Sequence, residues 1–394
     1  MPYRKKENKF MLNVYKRYPI CITRAKGMYM WDINNKKYLD FISGIAVNAF
    51  GHCHPKITQI IKKQAEKLVH VSNLFYTNEQ ISLAEKLIEL YGAAGKVFLS
   101  NSGTEANECA IKLARKWGQM QNKNKFEIIS FKQSFHGRTI ASLSATGQDK
   151  LQKDFKPLLK GFKYAAFNDI ESVKKIINSK SCAVIVESIQ GEGGVNIAEK
   201  SFLKSLASLC KKNKTLLILD EIQMGLGRTG KMFGYEHFGI KPDMVTLAKA
   251  LGNGLPIGAT IVSNKISGTF SYGSHGSTFG GNLVACACAK TILAMLTDKQ
   301  LKHNENMGKY LNEKLNKLNE KYKFITEIRG KGLVWGMDLK KIDVNEIVDK
   351  CREQGLCISA VQGKSLRFLP AYIVTKKEIN KLFDILDGVF KTIK

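Results

Sequence analysis

Long apolar runs are missing from these 394 residues. None approaches the ~20 residues that cross a bilayer, so the chain is not expected to enter a membrane. Residues Met1–Lys9 are mostly polar and charged and lack the apolar core of a secretion signal. No CxxC pair occurs, and the nine cysteines are an odd, scattered set. That excludes a disulfide framework and fits reduced thiols in the cytoplasm. Cys53 between His52 and His54 has no companion ligands at tetrahedral spacing, so no metal site is expected. Arginine is scarce: there are nine, against 53 lysines spread along the chain. Nucleic-acid readers rely on arginine for bidentate phosphate and base contacts. The net charge of +28 therefore reads as a diffuse lysine bias that draws in anionic substrates, and nucleic acid is not an expected partner. Internal repeats, low-complexity tracts and proline-rich linkers are also absent.

What is present centres on residues 215–250. The apolar run from Thr215 ends on Asp220, and the run from Met244 ends at Lys249. Both read as buried parallel strands. In open α/β sheets, ligands sit outside the carboxyl ends of the strands. An acid and an amine delivered there suit pyridoxal phosphate, which needs a lysine for its carbonyl and an acid for its ring nitrogen. Taken singly, the Asp is equally a helix cap and the Lys a solvated side chain. A further strand, Lys96–Ser100, is followed by apolar positions 106, 109, 110, 113, 114, 117 and 120, a helical period. Ser102, Gly103 and Thr104 then stand at a helix N-terminus, which is either an ordinary cap or a phosphate site. Thr77–Gln80 has the pattern of a capping box opening a helix to about Tyr91.

The runs Asp220–Gln223, Gly225–Gly230 and Lys249–Pro256 resemble the class III, fold type I aminotransferases. So do Asn101–Asn107, Ser134–Arg138, Ile189–Gly194 and Tyr272–Asn282, so the likeness covers nearly the whole chain. Ser188 departs from the family, which usually has proline there. The resemblance implies an α/β fold. Residues 47–299 would form a large domain with a mainly parallel central sheet, and 1–46 and 300–394 a small α/β domain. It implies pyridoxal 5′-phosphate as cofactor. Lys249 would hold its carbonyl and later act as base, and Asp220 would hold the ring nitrogen protonated. Ser102, Gly103 and Thr104 would bind the phosphate, Phe135 would stack on the ring, and Gln223 would bond the phenolic oxygen. Thr278 would reach the phosphate of a neighbouring subunit, with Ser277 beside the substrate, which implies a homodimer with shared sites. Arg138 would take the substrate's α-carboxylate, and Glu192 would cover and uncover Arg367 as substrates alternate.

Within the family the closest likeness is to the acetylornithine branch. The implied substrates are N-acetylornithine and 2-oxoglutarate, giving glutamate, with N-succinyl-diaminopimelate as a second amine. The alternative is the ornithine branch, for which Tyr15 and Tyr18 are candidate aromatic residues. A γ-aminobutyrate enzyme, a glutamate-semialdehyde aminomutase and a non-catalytic binding protein fit less well, given Arg138, the Glu192–Arg367 pair and the intact Asp220 and Lys249.

Overall fold

A computed structural model describes residues 2–393. Its central sheet has seven strands: β1 (Gly95–Ser100), β2 (Glu127–Phe131), β3 (Phe162–Ala165), β4 (Ser181–Glu187), β5 (Leu216–Asp220), β6 (Met244–Leu247) and β7 (Gly258–Ser263). Their spatial order is β1-β7-β6-β5-β4-β2-β3. All run parallel except β7, which is antiparallel to both neighbours.

Strands β4 and β5 are buried along their whole length. The pleat sends alternate residues to opposite faces, and the core divides accordingly. Val184, Val186, Leu217 and Leu219 pack with Phe202, Leu203 and Leu206 of the helix Lys200–Lys212. Ala183, Ile185, Leu216 and Ile218 pack with Ala110, Ile111 and Ala114 of the helix Gly103–Gln121. Two covered faces explain why these strands read as unbroken apolar runs.

The chain ends meet in space. Strands Ile22–Lys26, Tyr29–Asp32 and Lys37–Asp40 form an antiparallel unit, and Leu356–Cys357 joins its edge in parallel, with Leu356 opposite Leu39. A second antiparallel sheet holds Ile325–Lys331, Val334–Leu339, Ser365–Phe368 and Ser359–Val361. It carries Arg367.

One local expectation fails. The helix Asn78–Tyr91 does follow Thr77, but Thr77 makes no side-chain cap. Its hydroxyl donates to Gln80 Oε1 at 2.9 Å, and Gln80 Nε2 is drawn to the Gly281 carbonyl at 3.0 Å. A tertiary contact has taken the glutamine that the box requires. A complete capping box forms instead at Thr375 and Glu378, opening the helix Lys376–Lys391.

The approach of the helix Gly103–Gln121 to the sheet has a sharp limit at Gly118. A Cβ there would lie 2.1 Å from the Lys125 carbonyl oxygen and 2.6 Å from Cys182 Cβ. Alanine favours a helix interior over glycine by about 0.5–1 kcal/mol. The clash outweighs that gain, because both obstacles are buried and one is backbone. Gly118→Ala is expected to destabilise the fold by about 1–3 kcal/mol, the usual cost of overpacking. Urea unfolding checks this, and an unchanged or raised midpoint would contradict the packing described.

Candidate active site

A cavity of about 430 Å³ opens at the carboxyl end of the central strands. It gathers nine of the residues singled out in the sequence: Ser102, Gly103, Thr104, Phe135, Arg138, Glu192, Asp220, Gln223 and Lys249. Arg367 lies directly behind Glu192, its Nη1 donating to Glu192 Oε1 at 2.6 Å and to the Gly191 carbonyl at 3.0 Å. Ser277 and Thr278 do not line this cavity. They border a separate depression with Phe98, Glu105 and His275, to which Asn101 connects by donating to Ser277 Oγ at 3.0 Å. Tyr15 and Tyr18 also lie away from the cavity, beside the N-terminal helix.

Asp220 ends β5 in register with Glu187 of β4 and Thr246 of β6. Its Oδ2 accepts from Asn107 Nδ2 at 2.8 Å and from His136 Nδ1 at 2.7 Å, and its Oδ1 accepts from the Ile222 amide at 3.1 Å. All four residues except Ile222 are buried. Sequence reasoning passed over both side-chain donors. Asn107 stands among the apolar positions of its helix, and His136 sits between Phe135 and Arg138, which took the attention. A polar residue interrupting that apolar period was the available signal.

Glu187 was also missed. Its carboxylate faces the cavity and accepts from the Phe135 amide at 3.1 Å. Burial, and then the nearby Asp220, push its pKa well above the ordinary carboxylate value. For Glu192, burial pushes upward but Arg367 and Lys249 outweigh it, and the pKa lies below the ordinary value. Lys249 begins a short 3₁₀ turn with φ +44°, a left-handed conformation unusual outside glycine. Burial lowers its pKa, opposed by Glu192 and Asp220, and a lysine with a lowered pKa is a better nucleophile. Arg138 is exposed at the cavity and has no carboxylate within ion-pair distance among the described residues. Its guanidinium lies 5.6 Å from the Phe135 ring centre.

The family described as aminotransferase class-III matches residues 11–390. The chain belongs to the class-III aminotransferases. An acetylornithine aminotransferase from Caldanaerobacter subterraneus is 48% identical over 98% of this chain and 99% of its own. One from Methanocaldococcus jannaschii is also 48% identical, over 98% of each chain. Among solved structures, an ornithine aminotransferase from Toxoplasma gondii superposes with a TM-score of 0.95 at 32% identity, over 99% of this chain and 94% of that one. An N-acetylornithine aminotransferase from Stenotrophomonas maltophilia gives 0.86 at 34%, over 98% of both.

Class-III aminotransferases use pyridoxal 5′-phosphate, and the residues here fit it. The amides of Gly103 and Thr104 open a helix and have no intrahelical acceptor, which suits a phosphate. Ser102 caps that helix, its Oγ accepting from the Glu105 amide at 3.3 Å. Gly137 lets the next loop close against this corner, since a Cβ there would lie 2.2 Å from Thr104 Oγ1. An aromatic wall, a buried carboxylate and an amine complete the set. Gln223 departs in detail. Its Nε2 donates to Glu192 Oε1 at 3.2 Å, while its Oε1 is buried without a partner among the described residues. The second N–H of Gln223 Nε2 is left to donate to a phenolic oxygen.

Glu187 gives a pH test. Its folded pKa is raised, so its contribution to stability is full below the unfolded value, about 4.3, and is lost as pH rises through the folded value. Glu187→Gln keeps an acceptor for the Phe135 amide and removes the titration. The variant is expected to gain on the wild type in unfolding midpoint between pH 5 and pH 8. Parallel pH profiles would show that Glu187 is ionised in the folded protein.

Proposed function

We propose that this aminotransferase moves the δ-amino group of N2-acetyl-L-ornithine to 2-oxoglutarate, giving N-acetyl-L-glutamate 5-semialdehyde and L-glutamate, in arginine biosynthesis. N-succinyl-LL-diaminopimelate is proposed as a second amine, in lysine biosynthesis. The observation that carries the reading is a pair of arginines at one cavity. Arg138 is open and Arg367 is covered by Glu192. Arginine matches a carboxylate with two parallel hydrogen bonds. N2-acetylornithine, acylated on its α-nitrogen and free at its δ-amine, has one carboxylate, and Arg138 serves it while Glu192 stays over Arg367. Glutamate and 2-oxoglutarate have two carboxylates, and the second requires Arg367 to be uncovered. The relatives named acetylornithine aminotransferase support the choice of amine.

When bound, pyridoxal phosphate supplies a carbonyl that takes up and returns an amino group, and an electron-withdrawing ring. Lys249 Nζ would hold that carbonyl and, when free, would serve as the base that moves a proton at the substrate carbon bearing the amine. Asp220, fixed by Asn107 and His136, would hold the ring nitrogen protonated. Phe135 would support the ring, and Ser102, Gly103 and Thr104 would hold the phosphate.

A homodimer is part of this reading. Ser277 and Thr278 lie outside the chain's own cavity, and Leu74, Phe75, Tyr76 and Phe279 are exposed. Thr278 of each subunit would then complete its partner's phosphate site. The reading also takes 1–46 with 300–394 as one domain and 47–299 as the other, and the pairing of Leu39 with Leu356 supports joining the two ends. A cytoplasmic location fits nine free thiols.

Lys249→Ala is expected to abolish turnover while leaving the protein folded, and retained transamination would overturn the site. Arg138→Ala is expected to lower kcat/KM for N-acetylornithine about 10²-fold, as a charged double hydrogen bond is lost. Unchanged kinetics would remove Arg138 from the α-carboxylate role. Loss of cofactor absorbance without 2-oxoglutarate ranks the amines. Fast bleaching by N-acetylornithine and slow bleaching by ornithine supports the proposal, and the reverse order moves the enzyme to the ornithine branch.

A further inference from the structure

A second cavity, of about 850 Å³, opens at the amino end of the central strands, beside Thr215, Leu217 and Asp243. Asp220 and Lys249 lie at the other end of the same strands. Two helices build its walls. Lys204, Ala207, Ser208 and Lys211 recur at i, i+3, i+4 and i+7 on the helix Lys200–Lys212, so one face of that helix lines the opening. Trp117 and Gln121, four residues apart, do the same from the end of the helix Gly103–Gln121. Leu217 and Ile240 make an apolar floor and are buried.

Charge sets this cavity apart. Five of its fifteen lining residues are lysines, against 53 of 394 in the whole chain. They are Lys204, Lys211, Lys214, Lys241 and Lys265, and all are exposed. Asp243 is the one acid in the lining. It lies 3.8 Å from Lys265 and also accepts from the Leu217 amide at 2.9 Å. Among the described residues the other four lysines make no ion pair. Two cations lie near Trp117, with Lys265 Nζ 5.8 Å and a sixth lysine, Lys125, 5.6 Å from its ring centre. Lys125 is itself buried and donates to the Lys214 carbonyl at 2.7 Å. Burial, with a contribution from Lys214, holds its pKa below the ordinary lysine value.

Lysines held around a recess with low-dielectric walls repel one another and focus a positive potential into it. A compact polyanion relieves that repulsion, and an apolar body on the ligand covers the floor. We propose that this recess is a binding site for an organic polyphosphate of the nucleoside-triphosphate type, distinct from the catalytic cavity. Lys204 and Lys211 on one helix, with Lys214, Lys241 and Lys265 from the adjoining segments, take the phosphates, and the organic body sits over Leu217 and Ile240, within reach of Trp117.

The chain has three tryptophans, so emission from Trp117 is separable by substitution. The test titrates the holoenzyme with ATP, tripolyphosphate and adenosine at about 0.15 M salt, where surface charges are screened beyond about 8 Å. ATP is expected to quench saturably, tripolyphosphate to compete with it at higher concentration, and adenosine to bind too weakly to saturate. Trp117→Phe should remove the signal while calorimetry still detects ATP. Lys211→Glu with Lys214→Glu should weaken ATP at least tenfold. Lys377→Glu with Lys381→Glu, on a distant helix, should leave it unchanged. Equal weakening by both pairs would reduce the effect to net charge and overturn the site. So would quenching that persists in Trp117→Phe, or no saturable binding of ATP.

Discussion

A buried carboxylate at the end of β5 is the constraint on which the site depends. Removing a charge from water costs several kcal/mol unless hydrogen bonds replace the lost hydration. Asp220 meets that requirement with donors from three parts of the chain: Asn107 on a helix, His136 on the loop after β2, and the Ile222 amide just beyond the strand. The carboxylate therefore pins the helix Gly103–Gln121, the loop that carries Phe135 and Arg138, and its own strand end to one point. Asn107 strengthens the tie by donating also to the His136 carbonyl at 2.7 Å. Two cavity walls thus converge on one charge. The neighbouring acid, Glu187, has its pKa raised by burial and then by the nearness of Asp220.

The sequence was most legible where chemistry is local. Buried strands announced themselves because both faces of β4 and β5 are covered, and their last residues marked the cavity rim. The helix after Asn101 was readable from its period. Nine candidate residues then met in one cavity because strand ends and loops in a parallel sheet open to one side. Legibility failed where a side chain is claimed across space. Gln80 looked like half of a capping box, yet it serves Gly281, about 200 positions away. Nothing near Asn107 or His136 in sequence says that both point at Asp220. Ser277 and Thr278 had motif neighbours of the right kind, but their loop lies outside the cavity of its own chain.

The electrostatics of the two ends of the sheet differ in kind. At the carboxyl end, cations and acids are interleaved and mostly matched, with Arg367 on Glu192 and Lys249 among three carboxyl groups. Arg138 is left for a ligand. At the amino end, lysines outnumber the one acid, and four of the five make no ion pair among the described residues. A matched cluster answers to small rearrangements, such as Glu192 leaving Arg367. An unmatched one answers only to what arrives from solution.

The single reversed strand, β7, has a mechanical consequence. Residues 248–257 join β6 to an antiparallel neighbour, with Leu247 paired to Ala259 across the ladder. The lysine loop is therefore a hairpin with both feet in the sheet, whereas parallel strands leave through helices. Its interior is tied by Gly252 and Leu255 amides to the carbonyls of Lys249 and Gly252, and Asn253 accepts from the Phe50 amide at 2.7 Å. The amine rides on a beam clamped at both ends, and the other loops around the cavity are free to vary in length around it. Divergence in substrate range within such a frame falls to those loops, while the lysine keeps its place.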